Sequence, residues 1–234
     1  MTDLLDGFAT AIALIARGDA ALAEIALRSL AVTLSAVAIG CAAGLPLGAW
    51  LAVRRFRGRR AVIAGLNALI GLPPVVVGLT LYLLLSRSGP LGVLGLLYTP
   101  TAMVAAQVVI VTPLVASIAH QAMRELWAQY RDLLISLNAS RAQRVATLLW
   151  DGRRTLLTAA LAGFGRAIGE VGAVMVVGGN IDGATRVLTT AIALETGRGD
   201  FALAIALGIV LVALSLLVSG ATHWALRTER AELW

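Results

Sequence analysis

The sequence predicts an all-α protein built around about five membrane-spanning helices, and three observations predict it. The 234 residues are 59% apolar and only 14% charged, with a mean hydropathy of +0.88, whereas soluble domains carry about 25% charged residues. Five stretches are long and apolar enough to cross a bilayer. The arginines concentrate in alternate connections, which orients those stretches. Together these features exclude disorder and argue against a soluble globular fold.

A helix needs about 20 mostly apolar residues to cross about 30 Å of hydrocarbon. Residues 30–53, 61–86, 100–123, 155–179 and 201–224 meet that requirement. Only the fourth carries charges near its middle, Arg166 and Glu170. An earlier apolar stretch, 8–16, is too short to span and has no basic segment before it, so it does not read as a signal peptide. It reads as an amphipathic helix on the outer surface, within an outer segment 1–24. A second short outer helix is expected over 185–196, where Val187, Leu188, Ala191, Ile192 and Leu194 recur at helical spacing. Thr10-Ala-Ile-Ala-Leu14 with Arg17-Gly-Asp19 is echoed by Thr190-Ala-Ile-Ala-Leu194 with Arg198-Gly-Asp200. The match is short and rich in Ala, and is read as coincidence.

Loop charge sets the expected orientation. All 19 basic residues are Arg. Five lie in 54–60, six in 124–154 and two after residue 223, which puts 13 on one side. Five lie on the other side, and Arg166 is inside the fourth span. The positive-inside rule makes the 13-Arg side cytoplasmic, so the N-terminus is expected outside and the C-terminus inside. Trp50, Trp127, Trp150 and Trp224 fall at or near that same side. The chain is expected to form a single membrane domain, 1–234.

Several chemistries are excluded. A phosphate-cradling G-x-x-x-x-G-K-[ST] loop needs a Lys, and the chain has none. The single cysteine, Cys41, allows no intrachain disulfide and no cysteine metal cluster, and reads as a packing residue. His120 and His223 stand at cytoplasmic span ends without an H-E-x-x-H and read as interfacial residues. A membrane enzyme would need a nucleophile–base set or a carboxylate pair at depth, and the spans offer only Glu170 and Arg166. No cofactor is expected in this chain, and no nucleic-acid partner.

Three features remain that could carry function. Pro73-Pro74 in the second span frees backbone carbonyls, tolerated at membrane depth only inside protein or against a wet cavity. This reads as a packed kink or as a bend lining or gating a pathway. Arg166 and Glu170, four residues apart, are expected on one helical face and able to pair; an unpaired charge facing lipid is costly. They read as a structural ion pair or as part of an anion path, with Glu170 a structural or gating partner because a carboxylate repels an anion. Gly165, Gly169 and Gly172 suggest a stripe for close helix approach. The third feature is the 124–154 loop, basic and rich in helix formers, with Asn138 suited to a left-handed or capping position. Its periodicity allows a solvated helix pair or a short helix offered to a partner's groove.

That loop resembles the EAA loop of binding-protein-dependent ABC importer permeases, whose pattern is E-A-A-x-x-x-G followed by I-x-L-P. Asp132 falls at the Glu position, Leu133 and Leu134 at the two Ala positions, and Asn138 at the Gly position after Leu137. Ala139-Ser140-Arg141 agrees with the usual continuation, while Leu148, Trp150 and Asp151 replace Ile, Leu and Pro. The strings Gly44-Leu-Pro-Leu-Gly48, Gly71-Leu-Pro-Pro-Val-Val-Val-Gly78, 87–92, 97–103, 163–180 and 185–196, in this order, resemble permeases of tungstate, molybdate and sulfate importers, the tungstate branch most. The resemblance covers about residues 20–222 and implies a type I ABC importer permease. It implies two permease copies in a bacterial or archaeal inner membrane. It also implies two cytoplasmic ABC ATPases that hold ATP and Mg, and an extracytoplasmic oxyanion-binding protein. The coupling loop would be Asp132, Leu133, Leu134, Leu137, Asn138, Ala139, Ser140 and Arg141. The cargo expected is tungstate, with molybdate and sulfate as alternatives. A secondary transporter or channel is the competing class.

Overall fold

The computed structural model describes the backbone of residues 2–231 and the side chains of 6–222, save those of 11 and 14. The readings made above for His223, Trp224 and the side chains of the tail, 227–234, lie outside the described residues. All regular structure among the described residues is helical, as the composition predicts.

Two long helices, α2 (Ala20–Val53) and α5 (Pro100–Ser136), form the central pair. Each carries an internal proline, Pro46 and Pro113, without ending. Their closeness comes from Gly40, Gly44 and Gly48, which repeat every four residues and so share one face. A Cβ at Gly48 would stand 2.6 Å from the Ala116 carbonyl oxygen and 2.7 Å from the Ala119 Cβ. Small residues in this spacing let two membrane helices touch backbone to backbone. The expectation placed such a stripe at Gly165, Gly169 and Gly172 instead. There, only Gly172 meets a neighbouring helix, and a Cβ at Gly165 would meet nothing within 4 Å.

Three helices are continuous and long enough to cross a membrane: α2, α5 and α10 (Phe201–Ala231), the last counted over its described residues to Thr222. The other two expected spans are not continuous helices. Residues 61–86 break into α3 (Arg59–Ile70) and α4 (Pro74–Leu85), bent by 99°. Residues 155–179 break into α7 (Arg153–Ile168) and α8 (Gly172–Gly178), bent by 60°. Five spans are present when each bent pair counts as one. The first break follows from Pro73-Pro74: Pro74 has no N–H and forces its predecessor into an extended conformation, with Pro73 at ψ 124°.

Boundaries shift where packing overrides hydropathy. The first long helix begins at Ala20, so residues 20–24 of the expected outer segment belong to α2, and Leu22 is buried there. The helix of the third span runs on to Ser136, well beyond residue 123, so the expected coupling loop begins as a prolongation of α5. α1 (Thr2–Ala16) does not merely lie on a surface. It docks on α10, where a Cβ on Gly7 would fall 2.5 Å from Ile205 Cγ2, and it keeps Phe8, Ile12 and Ile15 exposed. The expected outer helix exists as α9 (Leu188–Arg198), but Leu188, Thr189, Thr190, Ala191 and Glu195 are buried. It is wedged into the molecule by the hydrogen bond from Leu188 N to Ser29 Oγ at 2.7 Å.

The two Arg-Gly-Asp copies take the same local geometry. Gly18 and Gly199 take left-handed φ of 59° and 82° and close α1 and α9. Asp19 and Asp200 then cap α2 and α10, accepting from Leu22 N at 2.7 Å and Leu203 N at 3.0 Å. A left-handed Gly and an acidic cap suit a helix end followed at once by a helix start.

Candidate functional site

The two broken spans meet. A Cβ on Gly172, at the start of α8, would lie 2.6 Å from Val75 Cγ2 at the start of α4. One turn on, a Cβ at Gly78 would stand 2.7 Å from Ala173 Cα. The first turns of the two half-helices thus pack side by side, and glycine on each side permits it. Pro73, Pro74 and Glu170 come together in this way across nearly a hundred residues of sequence.

Glu170 occupies the break rather than a helical face. α7 has ended at Ile168, so the expected continuous helix carrying both charges is absent. The ion pair itself is present, with Arg166 Nη1 3.5 Å from Glu170 Oε2. Glu170 is 5% exposed and Arg166 38%. The other carboxylate oxygen accepts from Ala173 N at 3.2 Å and satisfies an orphan donor of α8. The Glu170 carbonyl accepts from Thr189 Oγ1 of α9 at 3.0 Å. The Ala167 carbonyl, freed where α7 ends, accepts from Gln107 Nε2 of α5 at 3.0 Å. The two freed carbonyls are met by side chains from α5 and α9 and the freed N–H of α8 by Glu170 in the break, which is what irregular backbone at membrane depth requires.

The 124–154 loop is a helix–turn–helix. Asp132, Leu133, Leu134 and Leu137 lie on the last turns of α5 and at its cap. Leu134 is buried, while Leu133 and Leu137 are 55% and 67% exposed and four residues apart on one face. Asn138 takes φ 50°, the left-handed position anticipated from its residue type. Ala139 N closes the turn on Leu134 O at 3.1 Å. Ser140 caps α6 (Arg141–Asp151) in a reciprocal capping box with Gln143. Leu148 is fully buried, and Trp150 is 73% exposed. Arg144 and Arg153 lie over the rings of Trp127 and Trp150, at 5.9 and 4.9 Å. The Tyr130 phenol is hydrogen-bonded to Asp151, which raises its pKa above the ordinary tyrosine value and ties α5 to the end of α6.

His120 departs from the expectation of an interfacial residue. It is buried, and its Nε2 lies 3.0 Å from Arg59 Nη2. A guanidinium only donates, so the imidazole accepts. Nothing in the spacing of two residues 61 apart signals this pairing. Cys41 is half-buried and lines an apolar recess of about 560 Å³ between α2 and α7, with Leu45, Pro46 and Leu157. That agrees with a packing role.

Residues 44–228 match the family described as binding-protein-dependent transport system inner membrane component. The chain is 37% identical to the tungstate uptake system permease protein TupB of Peptoclostridium acidaminophilum, over 95% of this chain and 98% of that protein. It is 40% identical to a probable anion ABC transporter permease protein of Haloferax volcanii, over 82% and 84% of the two chains. It is 31% identical to the sulfate transport system permease protein CysT of Escherichia coli, over 74% and 65%. With broken spans, a helical 124–154 loop and these matches, the chain belongs to the binding-protein-dependent inner membrane components: it is a multi-pass permease subunit of an ABC transporter.

Proposed function

We propose that this chain is one of two identical pathway subunits of an ATP-driven importer whose cargo is a tetrahedral oxyanion, tungstate in the first place. The observation that carries the cargo is the kinship over nearly the whole chain with a permease named for tungstate uptake. The N-terminus lies outside, where an extracytoplasmic binding protein delivers the anion, and the C-terminus lies inside. The anion passes beside the paired breaks at 71–74 and 169–172. Glu170 is a positioning residue there and not a ligand, because its carboxylate is occupied by Arg166 and Ala173 N and repels an anion. Pro73 and Pro74 hold α4 at its angle to α3.

The loop Asp132–Arg141 and the exposed Trp150 dock on a cytoplasmic ABC ATPase. The partner binds ATP and Mg and does all the nucleotide chemistry. Closure of the ATPase pair draws the two loops together. Because α5 runs without interruption from the outer end of the core to this loop, that movement reaches the breaks and turns the pathway from inward- to outward-facing.

The test is ATP hydrolysis by the permease and its ATPase, co-purified into lipid, with binding protein loaded with tungstate, molybdate or sulfate. Stimulation by the tungstate-loaded protein alone is expected. Stimulation by a sulfate-loaded protein instead would keep the importer and change the cargo, in line with the sulfate permease among the relatives. Two chains that never co-purify would remove the coupling-loop assignment.

A further inference from the structure

The arginines of the 54–60 connection are more than orienting charge. Arg55, Arg59 and Arg60 meet Arg124 and Arg131 around one cleft of about 780 Å³ at the cytoplasmic end of the molecule. They come from the α2–α3 connection, from α3 and from the prolonged end of α5. One carboxylate, Asp132, shares the cleft, so five positive charges face one negative. Orientation in the membrane needs basic residues anywhere in the cytoplasmic loops; it does not require three segments to converge on one concavity.

Three cytoplasmic arginines outside the cleft are engaged by aromatic rings. Arg54, Arg144 and Arg153 lie over Trp rings. In the cleft, Arg59 is fixed by its bonds to the Leu51 carbonyl at 2.7 Å and to neutral His120. Among the described residues, Arg55, Arg60, Arg124 and Arg131 make no ion pair. A concave site of one sign with low-dielectric walls focuses its field and concentrates the counter-ion. Guanidinium groups are matched to tetrahedral oxyanions by their forked donors.

The cleft also sits where an anion would emerge. Asn67, on its wall, is bound by Ser117 Oγ at 3.0 Å. It stands on the last turn of α3, just before the 71–73 break. We infer that this cleft is a tetrahedral-oxyanion site on the cytoplasmic side of the permease. The inference rests on the proposed function for which free oxyanion reaches it. A phosphate headgroup from the inner leaflet carries the same chemistry and is the other source.

The experiment uses the permease with its ATPase in nanodiscs, nucleotide sites filled with MgADP, and tungstate binding read by equilibrium dialysis. In phosphatidylcholine discs, saturable binding of one tungstate per permease chain is expected, displaced by inorganic phosphate. Arg124→Gln alone, and the triple change Arg55→Gln, Arg60→Gln and Arg124→Gln, should weaken it at least threefold and tenfold. Arg87→Gln, in the outer loop, should not. Co-purification with the ATPase reports that each variant is folded. In discs containing phosphatidylglycerol, displacement of tungstate by the lipid identifies the headgroup as a competing source of the same ligand. Equal binding by wild type and the triple variant overturns the inference, as does the absence of both tungstate and bound phosphatidylglycerol. Stimulated ATP hydrolysis on the same preparation, with ATP in place of MgADP, separates the two readings. Stimulation without oxyanion binding removes the site and leaves the importer; binding without stimulation does the reverse.

Discussion

Glu170 uses its two carboxylate oxygens for different partners, Arg166 on one side and the first turn of α8 on the other. Glu170→Gln keeps the acceptor for Ala173 N and removes the charge. Its expected cost is about 1–2 kcal/mol, the size of a lost charged hydrogen bond. Arg166→Gln strands a carboxylate that is 5% exposed, so it should cost about 3 kcal/mol or more. Thermal unfolding of the two single variants and the double variant in detergent checks this. Arg166→Gln should be the least stable of the three, with the double variant recovering part of the loss. Equal stability of all three with wild type, together with normal transport by Glu170→Gln, would remove Glu170 from any positioning role.

At the scale of elements, the proposed coupling loop is set by local chemistry. Asn138 at φ 50° ends one helix, and the Ser140–Gln143 capping box starts the next. Ser140→Ala should cost the start of α6 about 1 kcal/mol. Asn138→Ala should cost about 1–2 kcal/mol, since Ala resists the left-handed region, and Asn138→Gly should be tolerated. Faster hydrogen exchange over Arg141–Asp151 and weaker retention of the ATPase are the expected readouts for Ser140→Ala and Asn138→Ala. The degenerate EAA pattern was legible here because turns and caps depend on nearby residues. The burial of Leu134 and Leu148 was not, since it depends on which helices those side chains reach.

For the whole molecule, the arginine distribution sets an orientation that can be measured. In a Cys41→Ala background, Ser88→Cys should react with a membrane-impermeant thiol reagent in intact spheroplasts. Ser136→Cys should react only after permeabilisation. The reverse pattern would invert the pathway and place the arginine cleft outside.

Hydropathy alone determined that the chain is helical and marked out the five apolar stretches that become three continuous spans and two bent pairs. The bilayer reads length and charge locally along the chain, so no contact has to be known. Residue type also announced the proline break and the left-handed Asn138. Only the tertiary structure decided that the second and fourth spans bend by 99° and 60°, that the starts of their second halves, α4 and α8, pack together, and that Glu170 caps a half-helix. It alone showed Gly40, Gly44 and Gly48 as the close seam, although their four-residue spacing is visible in the sequence. The same holds for His120 against Arg59 and for five arginines around one cleft. These depend on contacts between segments far apart in the chain. Helix packing sets those contacts, and the one-dimensional pattern of apolar and charged residues does not encode them.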